Sequence, residues 1–184
     1  MIGLGWHKSP RTSWDEEHGQ GEAYFTFVYG ANAAEVEVDT ETGKVTVPRM
    51  IVAHDLGFAL NPLAVEGQHE GSIAGGVGHT IYEHCIEDKG QNLTPNLTAY
   101  GLPTVYDLPE EMISLSIETI DPVGAFGAKE SGEGTQVSTI PAIVNAIHNA
   151  IGVWMTDLPV TSENVLKALK DKKALDKAKA EGHA

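Results

Sequence analysis

Apolar and polar residues alternate along three stretches of the chain, and this period-two pattern predicts β-strands. The stretches are residues 22–39, 45–55 and 113–119. The first two are joined by DTETGK, in which Gly43 can take the positive φ of a tight turn, so an antiparallel hairpin is predicted. Pro48 cannot donate a backbone hydrogen bond, which favours an edge position or a β-bulge in the second strand.

A helical spacing of apolar residues follows the second strand, at Val65, Ile73, Val77 and Ile81. The glycines of this segment are three or four residues apart and share one face: Gly67, Gly71, Gly75 and Gly78. Each glycine costs about 1 kcal/mol of helix stability relative to alanine. We therefore expect another backbone or a bulky ligand to come very close to this face, with tight helix packing the commoner cause of such spacing.

Two further helices are predicted in the C-terminal part of the chain. The first has Pro141 in its first turn and ends at Gly152, the residue type that most often follows a helix C-terminus. Its apolar stripe consists of Ile140, Ile143, Val144, Ile147 and Ile151. The last helix begins at about Glu163 and is capped by Thr161 or Ser162.

The order β-β-α-β-α-α predicts an α+β fold, in which a small antiparallel or mixed sheet packs against helices. Residues 1–20 are polar and interrupted by glycine and proline, which predicts an irregular N-terminal arm. Residues 21–170 then form the main lobe, and residues 171–184 form a lysine-rich helical tail.

Composition limits the partners that such a lobe can have. The chain has 184 residues, of which 41% are hydrophobic, and a formal net charge of -14. This acid excess argues against nucleic acid or an anionic membrane surface as a partner. The single cysteine, Cys85, is predicted to be a small buried residue, and we expect a cytoplasmic protein. Pairs such as His79 and Glu83 lack the spacing of a metal-binding motif, so no protein ligands for a metal are predicted.

The sequence GAKESGEG, residues 127–134, lies between the last strand and the isoleucine-rich helix. Free N–H groups and the dipole at a helix N-terminus attract negative charge, so this loop could hold a glutamate as an anion or bind an anionic cofactor. Its glycines allow a ligand to approach the backbone, but Lys129 stands in the wrong place for a phosphate-binding loop. From the residues alone, a structural loop and a site that presents a carboxylate both stay open.

Several segments occur in a characteristic order: GQHEGSIAGGVG, then LPTVYDLPE, then DPVGAFGAKESGEG and PAIVNAIHNAIG. In this order they resemble the C-terminal part of the molybdenum-cofactor subunit of the xanthine dehydrogenase and aldehyde oxidase family. The first is similar to the family's glycine-rich GQ-x-EG helix, the second to its PT-x-x-D-x-P segment, and the third to its GAK-x-x-GE site loop. The resemblance covers about residues 20 to 170.

The resemblance implies roles for particular residues. The glutamate of the GAK-x-x-GE loop is the family's catalytic base, and it corresponds here to Glu133. Gln68 corresponds to a glutamine near the molybdopterin, and Gly67 and Gly71 on the same helix would allow the cofactor to come close. Three consecutive loop residues would also line the site through their backbone: Gly127, Ala128 and Lys129.

Two positions depart from the family's loop pattern. Glu130 stands where the family usually has a small residue, and Gly134 stands where it often has proline. This form is more similar to the anaerobic branch of the family, such as hydroxybenzoyl-CoA reductases and nicotinate or purine hydroxylases. Both Glu130 and Glu133 are therefore candidates for the base, and alignment on the GE pair favours Glu133.

The resemblance implies hydroxylation, or reductive dehydroxylation, of an aromatic, N-heterocyclic or aldehyde substrate. Molybdopterin, with its dinucleotide form left open, would be shared with a larger molybdopterin-binding subunit. Iron–sulfur clusters need several cysteines, so we expect an iron–sulfur subunit, and FAD on a further chain. The expected protein is thus a small subunit of a heteromeric complex. A fragment of a longer chain, a non-catalytic lobe that buttresses a partner, and a free-standing binding module are the alternatives.

Overall fold

The computed structural model describes residues 2–182, which form a three-stranded mixed sheet, a two-stranded hairpin and four α-helices. The strands and α-helices are β1 (Gly30–Val38), β2 (Val45–Asp55), α1 (Pro62–Val77), β3 (Glu87–Asp88), β4 (Gln91–Asn92), α2 (Leu97–Tyr100), β5 (Glu111–Ile117), α3 (Gly134–Ile151) and α4 (Ser162–Ala180). A π-helical turn, Gly78–Tyr82, follows α1, and single 3₁₀ turns precede β5 and α3 at Val105–Asp107 and Ala125–Gly127. This architecture confirms the predicted α+β class. No helix within the described residues is both long and apolar enough to cross a membrane.

β2 is the central strand of the main sheet, whose order is β1-β2-β5. It pairs antiparallel with β1 and parallel with β5, so the sheet is mixed. The turn between β1 and β2 has Gly43 at φ 76°, as predicted. Pro48 does not lie on an edge strand. It lies at a bulge, because the β1–β2 register shifts between Glu35 and Glu37 and the pairing with β5 starts only at Arg49.

The predicted first strand is too long at its N-terminal end. Residues 22–29 alternate like a strand, yet β1 begins at Gly30. Gly30 pairs with His54, and the N–H of Asp55 donates to the carbonyl of Tyr29 over 2.8 Å. Because β2 ends there, the residues before Gly30 have no strand to pair with. Alternation reports which side chains share a face, but not whether a neighbouring strand is present.

Helix α3 begins earlier than its apolar stripe predicts. It starts at Gly134, so Pro141 lies inside the helix and not in its first turn. A residue with an N–H at this position would bond to the carbonyl of Val137, and Val137 is 73% exposed, so water can satisfy that carbonyl. The predicted helix end at Gly152, with φ 66°, is confirmed. The predicted cap of α4 by Thr161 is also confirmed.

Cys85 is exposed, so the prediction of a buried cysteine is wrong. Ile81 is buried in the π-helical turn, but the helical backbone ends at Glu83, which has extended dihedral angles (φ -80°, ψ 125°). The helical period that buries Ile81 therefore does not reach Cys85.

Helices α1 and α3 pack on the sheet and on each other. Their side chains and those of β2 form much of the core, including Met50, Val52, Ile73, Val77, Ile143 and Ile147. The close contact between the two helices lies at Gly76, where a Cβ would overlap the side chain of Thr139. By contrast, nothing lies within 4 Å of a Cβ built on Gly67 or Gly71. The tightest helix contact thus lies beside the predicted glycine face. Within that face, Gly75 also meets α3 at Gln136, whereas Gly67 and Gly71 are open.

A buried ion pair joins the end of β2 to the loop before α3. Lys129 Nζ lies 2.6 Å from Asp55 Oδ2, and the two side chains are 8% and 9% exposed. Asp55 also accepts hydrogen bonds from the N–H groups of Gly57 and Thr119. Burial raises the pKa of Asp55, but the hydrogen bonds and the charge of Lys129 outweigh it and hold the pKa below its ordinary value. The pair is reinforced by a 2.7 Å bond from the N–H of Lys129 to the carbonyl of Leu56.

Replacing Gly76 by alanine should destabilise the fold, because the new methyl group overlaps Thr139 and forces α1 away from α3. Overpacking of this kind costs about 1–3 kcal/mol. The matched control is Gly71→Ala on the same helix. There the methyl group meets no atom within 4 Å, and helix propensity should add up to about 1 kcal/mol. Urea unfolding followed by circular dichroism measures both free energies of unfolding, and equal effects would contradict the contact at Gly76.

Replacing Lys129 by methionine should lower the free energy of unfolding by about 3–5 kcal/mol, because Asp55 stays buried without its partner. In the wild type the lowered pKa of Asp55 makes the pair fully stabilising above the carboxyl's ordinary value of 3.8, and this contribution is lost as the pH falls through the folded-state pKa. In the variant, Asp55 is buried without Lys129, so its pKa should be raised. Lowering the pH should then stabilise the folded variant, because a neutral carboxyl is easier to bury than a charged one.

The difference in unfolding free energy between wild type and Lys129→Met should therefore shrink as the pH falls from about 7 towards 3. Urea unfolding at several pH values measures this difference. Lys170→Met, at an exposed lysine of α4, is the control and should change little at any pH. A difference that stays constant with pH would show that Asp55 does not depend on Lys129.

Candidate functional site

A cleft of about 210 Å³ lies between α1 and the N-terminal end of α3. It is lined by Gly67, Gln68, Gly71, Ser72, Gly132, Glu133 and Gln136. Glu133 occupies the N-cap position of α3, where its side chain is exposed and makes no capping hydrogen bond. The two open glycines of α1 form the opposite wall, since a Cβ on either would meet only open space. The fold therefore brings the predicted base together with three of the predicted cofactor-contacting residues.

A second cavity, also of about 210 Å³, adjoins the cleft at Gln68, which lines both. Ala128 and Lys129 line this second cavity, together with mostly apolar residues that follow β2 and begin α1. Lys129 presents only its backbone and its aliphatic stem here, because its ammonium group is held by Asp55. Two predicted loop residues thus lie next to the cleft and contribute no free charge to it.

Gly127 is buried within the loop, where it holds the loop to the rest of the lobe. Its carbonyl accepts hydrogen bonds from the N–H groups of Phe58 over 2.9 Å and Asp121 over 3.0 Å. Its φ of 83° and the closeness of Ile120, 2.7 Å from a Cβ built there, both require glycine. The structure thus gives this predicted site residue a scaffold contact.

Glu130 forms hydrogen bonds within the protein through both its carboxylate and its backbone carbonyl. Its carboxylate accepts hydrogen bonds from the N–H groups of Gly132 and Gly134, the latter over 3.4 Å. The ring Nε2 of His54 donates to the backbone carbonyl of Glu130 over 3.1 Å. The carboxylate therefore satisfies N–H groups at the start of α3 and places negative charge at the helix N-terminus. A proline at position 134 could not donate such a bond, so the two departures from the family's loop pattern belong to one interaction.

His54, which binds the loop, lies beside a second buried histidine, His69, and the sequence analysis gave neither of them a role. His54 and His69 are 1% and 0% exposed, with ring centroids 5.8 Å apart. His69 Nδ1 lies 2.7 Å from the hydroxyl of Ser114. Burial lowers the pKa of His69, and the nearby His54 lowers it further, which favours a neutral ring. The sequence does indicate that both histidines are buried. His54 lies on the inward-facing side of the β2 alternation, and His69 lies on the apolar stripe of α1.

Gln136 is a further cleft residue, and no sequence motif points to it. It follows Glu133 by one turn of α3 and lines the same cleft. Its Nε2 lies 2.9 Å from Nδ1 of His79, and Nε2 of His79 lies 3.2 Å from the carboxylate of Glu83. The sequence indicates only part of this arrangement, because His79 and Glu83 have the i, i+4 spacing of residues that meet on a helix. The structure shows that these two residues are in contact.

Comparison with known proteins agrees with the resemblance of the motifs. A family model described as a molybdopterin cofactor-binding domain matches residues 3–109, which include Gln68 and the glycines of α1 but not the loop of Glu133. A probable hypoxanthine oxidase of Escherichia coli K12 is 38% identical over 147 residues, which cover 79% of this chain and 15% of the relative. The xanthine dehydrogenase molybdenum-binding subunit of Escherichia coli O157:H7 is 37% identical over 139 residues, or 74% of this chain and 18% of that subunit.

The fold is also similar to that of an aldehyde oxidoreductase. The structure of the aldehyde oxidoreductase from Desulfovibrio gigas superposes with a TM-score of 0.80 at 35% sequence identity, covering 86% of this chain and 17% of that chain. This chain thus spans less than a fifth of the length of the relatives, which it matches over 15%, 18% and 17% of their residues. The family model, the sequence relatives and the fold agree: the chain belongs to the molybdopterin cofactor-binding domain family of xanthine dehydrogenases and aldehyde oxidoreductases.

Proposed function

We propose that this chain supplies the general base, Glu133, and one wall of the molybdopterin site in a molybdenum-dependent hydroxylase. The observation that carries the proposal is the placement of Glu133 across a cleft from Gly67 and Gly71. A base has to be exposed to the reacting group and free to accept a proton. Glu133 meets this requirement, because it is exposed and is not used to cap α3, whereas Glu130 is held by backbone N–H groups.

The residues of the cleft fit a flat, polar cofactor. Gly67 and Gly71 leave the α1 wall without side chains, so a ring system can lie against the helix backbone. Gln68, at the junction of the two cavities, can both donate and accept hydrogen bonds to such a ring. A site that encloses a drug-sized ligand measures about 300–1,000 Å³, and each cavity here has about 210 Å³. This lobe would therefore hold one side of the cofactor, and a second lobe would hold the other.

When bound, the molybdenum cofactor supplies the redox centre at which hydroxylation takes place. The contribution of this chain is the proton acceptor and its position. Glu133 would take up a proton at a carboxylate oxygen, and the N-terminus of α3 favours negative charge at that position. Glu130, His54 and the Asp55–Lys129 pair fix the backbone that carries Glu133. The substrate would be a small aldehyde or an aromatic or N-heterocyclic compound, and the same base would serve reductive dehydroxylation.

Partner chains are the second part of the proposal. The chain matches less than a fifth of relatives such as the molybdenum-binding subunit, 18% of which it covers. Its single cysteine cannot hold an iron–sulfur cluster, which needs several cysteine ligands. The remaining molybdopterin-binding lobe, the iron–sulfur clusters and FAD would therefore lie outside these 184 residues. The proposal assigns them to other chains of a heteromeric complex.

Replacing Glu133 by glutamine should lower turnover of the molybdenum-loaded complex by about 10²- to 10⁴-fold, because the amide cannot accept the proton. Molybdenum content and subunit composition should not change. Glu130→Gln is the matched control. Its amide oxygen can still accept a hydrogen bond from the start of α3, so the loss of turnover should be much smaller. Near-normal turnover in Glu133→Gln would instead favour a non-catalytic lobe that supports a partner chain.

Filling the cleft should displace the cofactor. Gly71→Leu adds a good helix former whose side chain points into open space, so the chain should stay folded and assembled while its molybdenum content falls several-fold. The measurement is metal and pterin analysis of the complex isolated from its native cells, for wild type and variant, with circular dichroism to verify folding. Absence of molybdenum and tungsten from the wild-type complex would overturn the proposed function.

A further inference from the structure

A chain of hydrogen bonds leads away from the cleft through Gln136, a residue that the proposed function does not use. The side-chain Nε2 of Gln136 lies 2.9 Å from Nδ1 of His79. On the other side of the ring, Nε2 of His79 lies 3.2 Å from Oε2 of Glu83. Gln136 also lines the cleft beside Glu133. The arrangement connects a cleft residue to a fixed carboxylate outside the cleft.

Glu83 is the fixed end of this chain. Its side chain is 6% exposed, and its N–H donates to the carbonyl of Gly78 over 2.9 Å. One carboxylate oxygen lies so close to Gly78 that a Cβ on that residue would overlap it. The carboxylate of Glu83 also raises the pKa of the nearby Tyr100 phenol. The carboxylate is therefore held in one place, and the ring of His79 is positioned against it.

The chemistry of these groups sets the direction of each hydrogen bond. Glu83 lies on the Nε2 side of the His79 ring and Gln136 on the Nδ1 side. The amide nitrogen of Gln136 can only donate, so Nδ1 accepts from its NH₂ group. Gly75 makes room for that group, since a Cβ there would lie 3.0 Å from Gln136 Nε2. The remaining atom of the amide, the oxygen Oε1, is left as an acceptor.

We propose that Gln136 orients the bound ligand by accepting a hydrogen bond, through Oε1, from an N–H group of a heterocycle in the cleft. Glu133 and Gln136 lie three residues apart on α3 and line the same cleft. This wall therefore offers hydrogen-bond acceptors, and the edge of a ligand that lies against it has to carry hydrogen-bond donors. Such an N–H belongs either to the pterin ring of the cofactor or to the ring of a substrate. Glu83 and His79 are positioning residues, because they act through Gln136. The inference rests on the proposed function only in taking the cleft as the place where cofactor and substrate meet.

The test is Gln136→Met, which keeps the length of the side chain and removes the acceptor. It uses the intact complex and measures two quantities. Molybdenum and pterin content per chain report on the cofactor. Equilibrium dissociation constants, measured without an electron acceptor, report on the substrate side, with hypoxanthine as a probe that carries ring N–H groups and quinoline as a probe that carries none.

If the cofactor supplies the N–H, molybdenum content should fall and the two probes should be affected alike. If the substrate supplies it, content should stay constant while the dissociation constant of hypoxanthine rises by about 2- to 12-fold, the effect of one neutral hydrogen bond, and that of quinoline stays the same. Unchanged values in both measurements, including the case in which hypoxanthine binds neither protein, would overturn the proposal.

The positioning role has its own test. Glu83→Gln keeps the shape of the side chain but can donate as well as accept, so it no longer selects one tautomer of His79. We expect it to weaken the same quantity as Gln136→Met, by a smaller factor, and to have no further effect in the Gln136→Met background. Additive effects of the two substitutions would show that Glu83 contributes only to stability. These are binding measurements, so their failure is distinguishable from a failure of Glu133→Gln to lower turnover.

Discussion

The arrangement of the site depends on the buried ion pair between Asp55 and Lys129. The two residues are 74 positions apart, and their 2.6 Å contact ties the end of the central strand to the loop that carries Glu133. Two backbone bonds, from Lys129 to Leu56 and from Phe58 to Gly127, lie beside it and make the attachment rigid. A buried pair of this kind contributes little net stability compared with an apolar contact, but breaking it is costly. Its value to this fold is therefore the single position that it imposes on the loop.

The glycines of α1 and of the π-helical turn that follows it have different physical reasons. Gly76 lets α1 approach Thr139 of α3, and this contact sets the distance between the two helices. Gly75 and Gly78 make room for polar side chains, the amide of Gln136 and the carboxylate of Glu83. Gly67 and Gly71 meet nothing in the protein and form the smooth wall of the cleft. One helix thus combines packing, polar support and ligand access, and the cost of its glycines in helix propensity is offset by its contacts with α3.

The two glutamates of the loop also have separate tasks. Glu130 holds the backbone at the start of α3 through Gly132 and Gly134, whereas Glu133 makes no capping bond and faces the cleft. This division supports the choice of Glu133 as the base, since a carboxylate that holds a helix N-terminus is poorly placed to exchange protons. Glycine suits position 134, because its N–H donates to Glu130 and a Cβ there would lie 2.6 Å from the carboxylate of Glu130.

The sequence by itself determined the α+β class, the hairpin, the C-terminal end of α3, the cap of α4 and the family, because each depends on local spacing or on the order of short motifs. The motifs also singled out Glu133 and Gln68, which the fold then placed on one cleft. Only the tertiary structure decided that residues 22–29 have no strand partner, that Gly76 is the tightest helix contact and that the Glu130 carboxylate binds N–H groups at the start of α3. It alone also decided which atom of Gln136 is turned towards His79. These features arise where segments distant in sequence meet, and neither propensity nor periodicity encodes which partner a residue will find there.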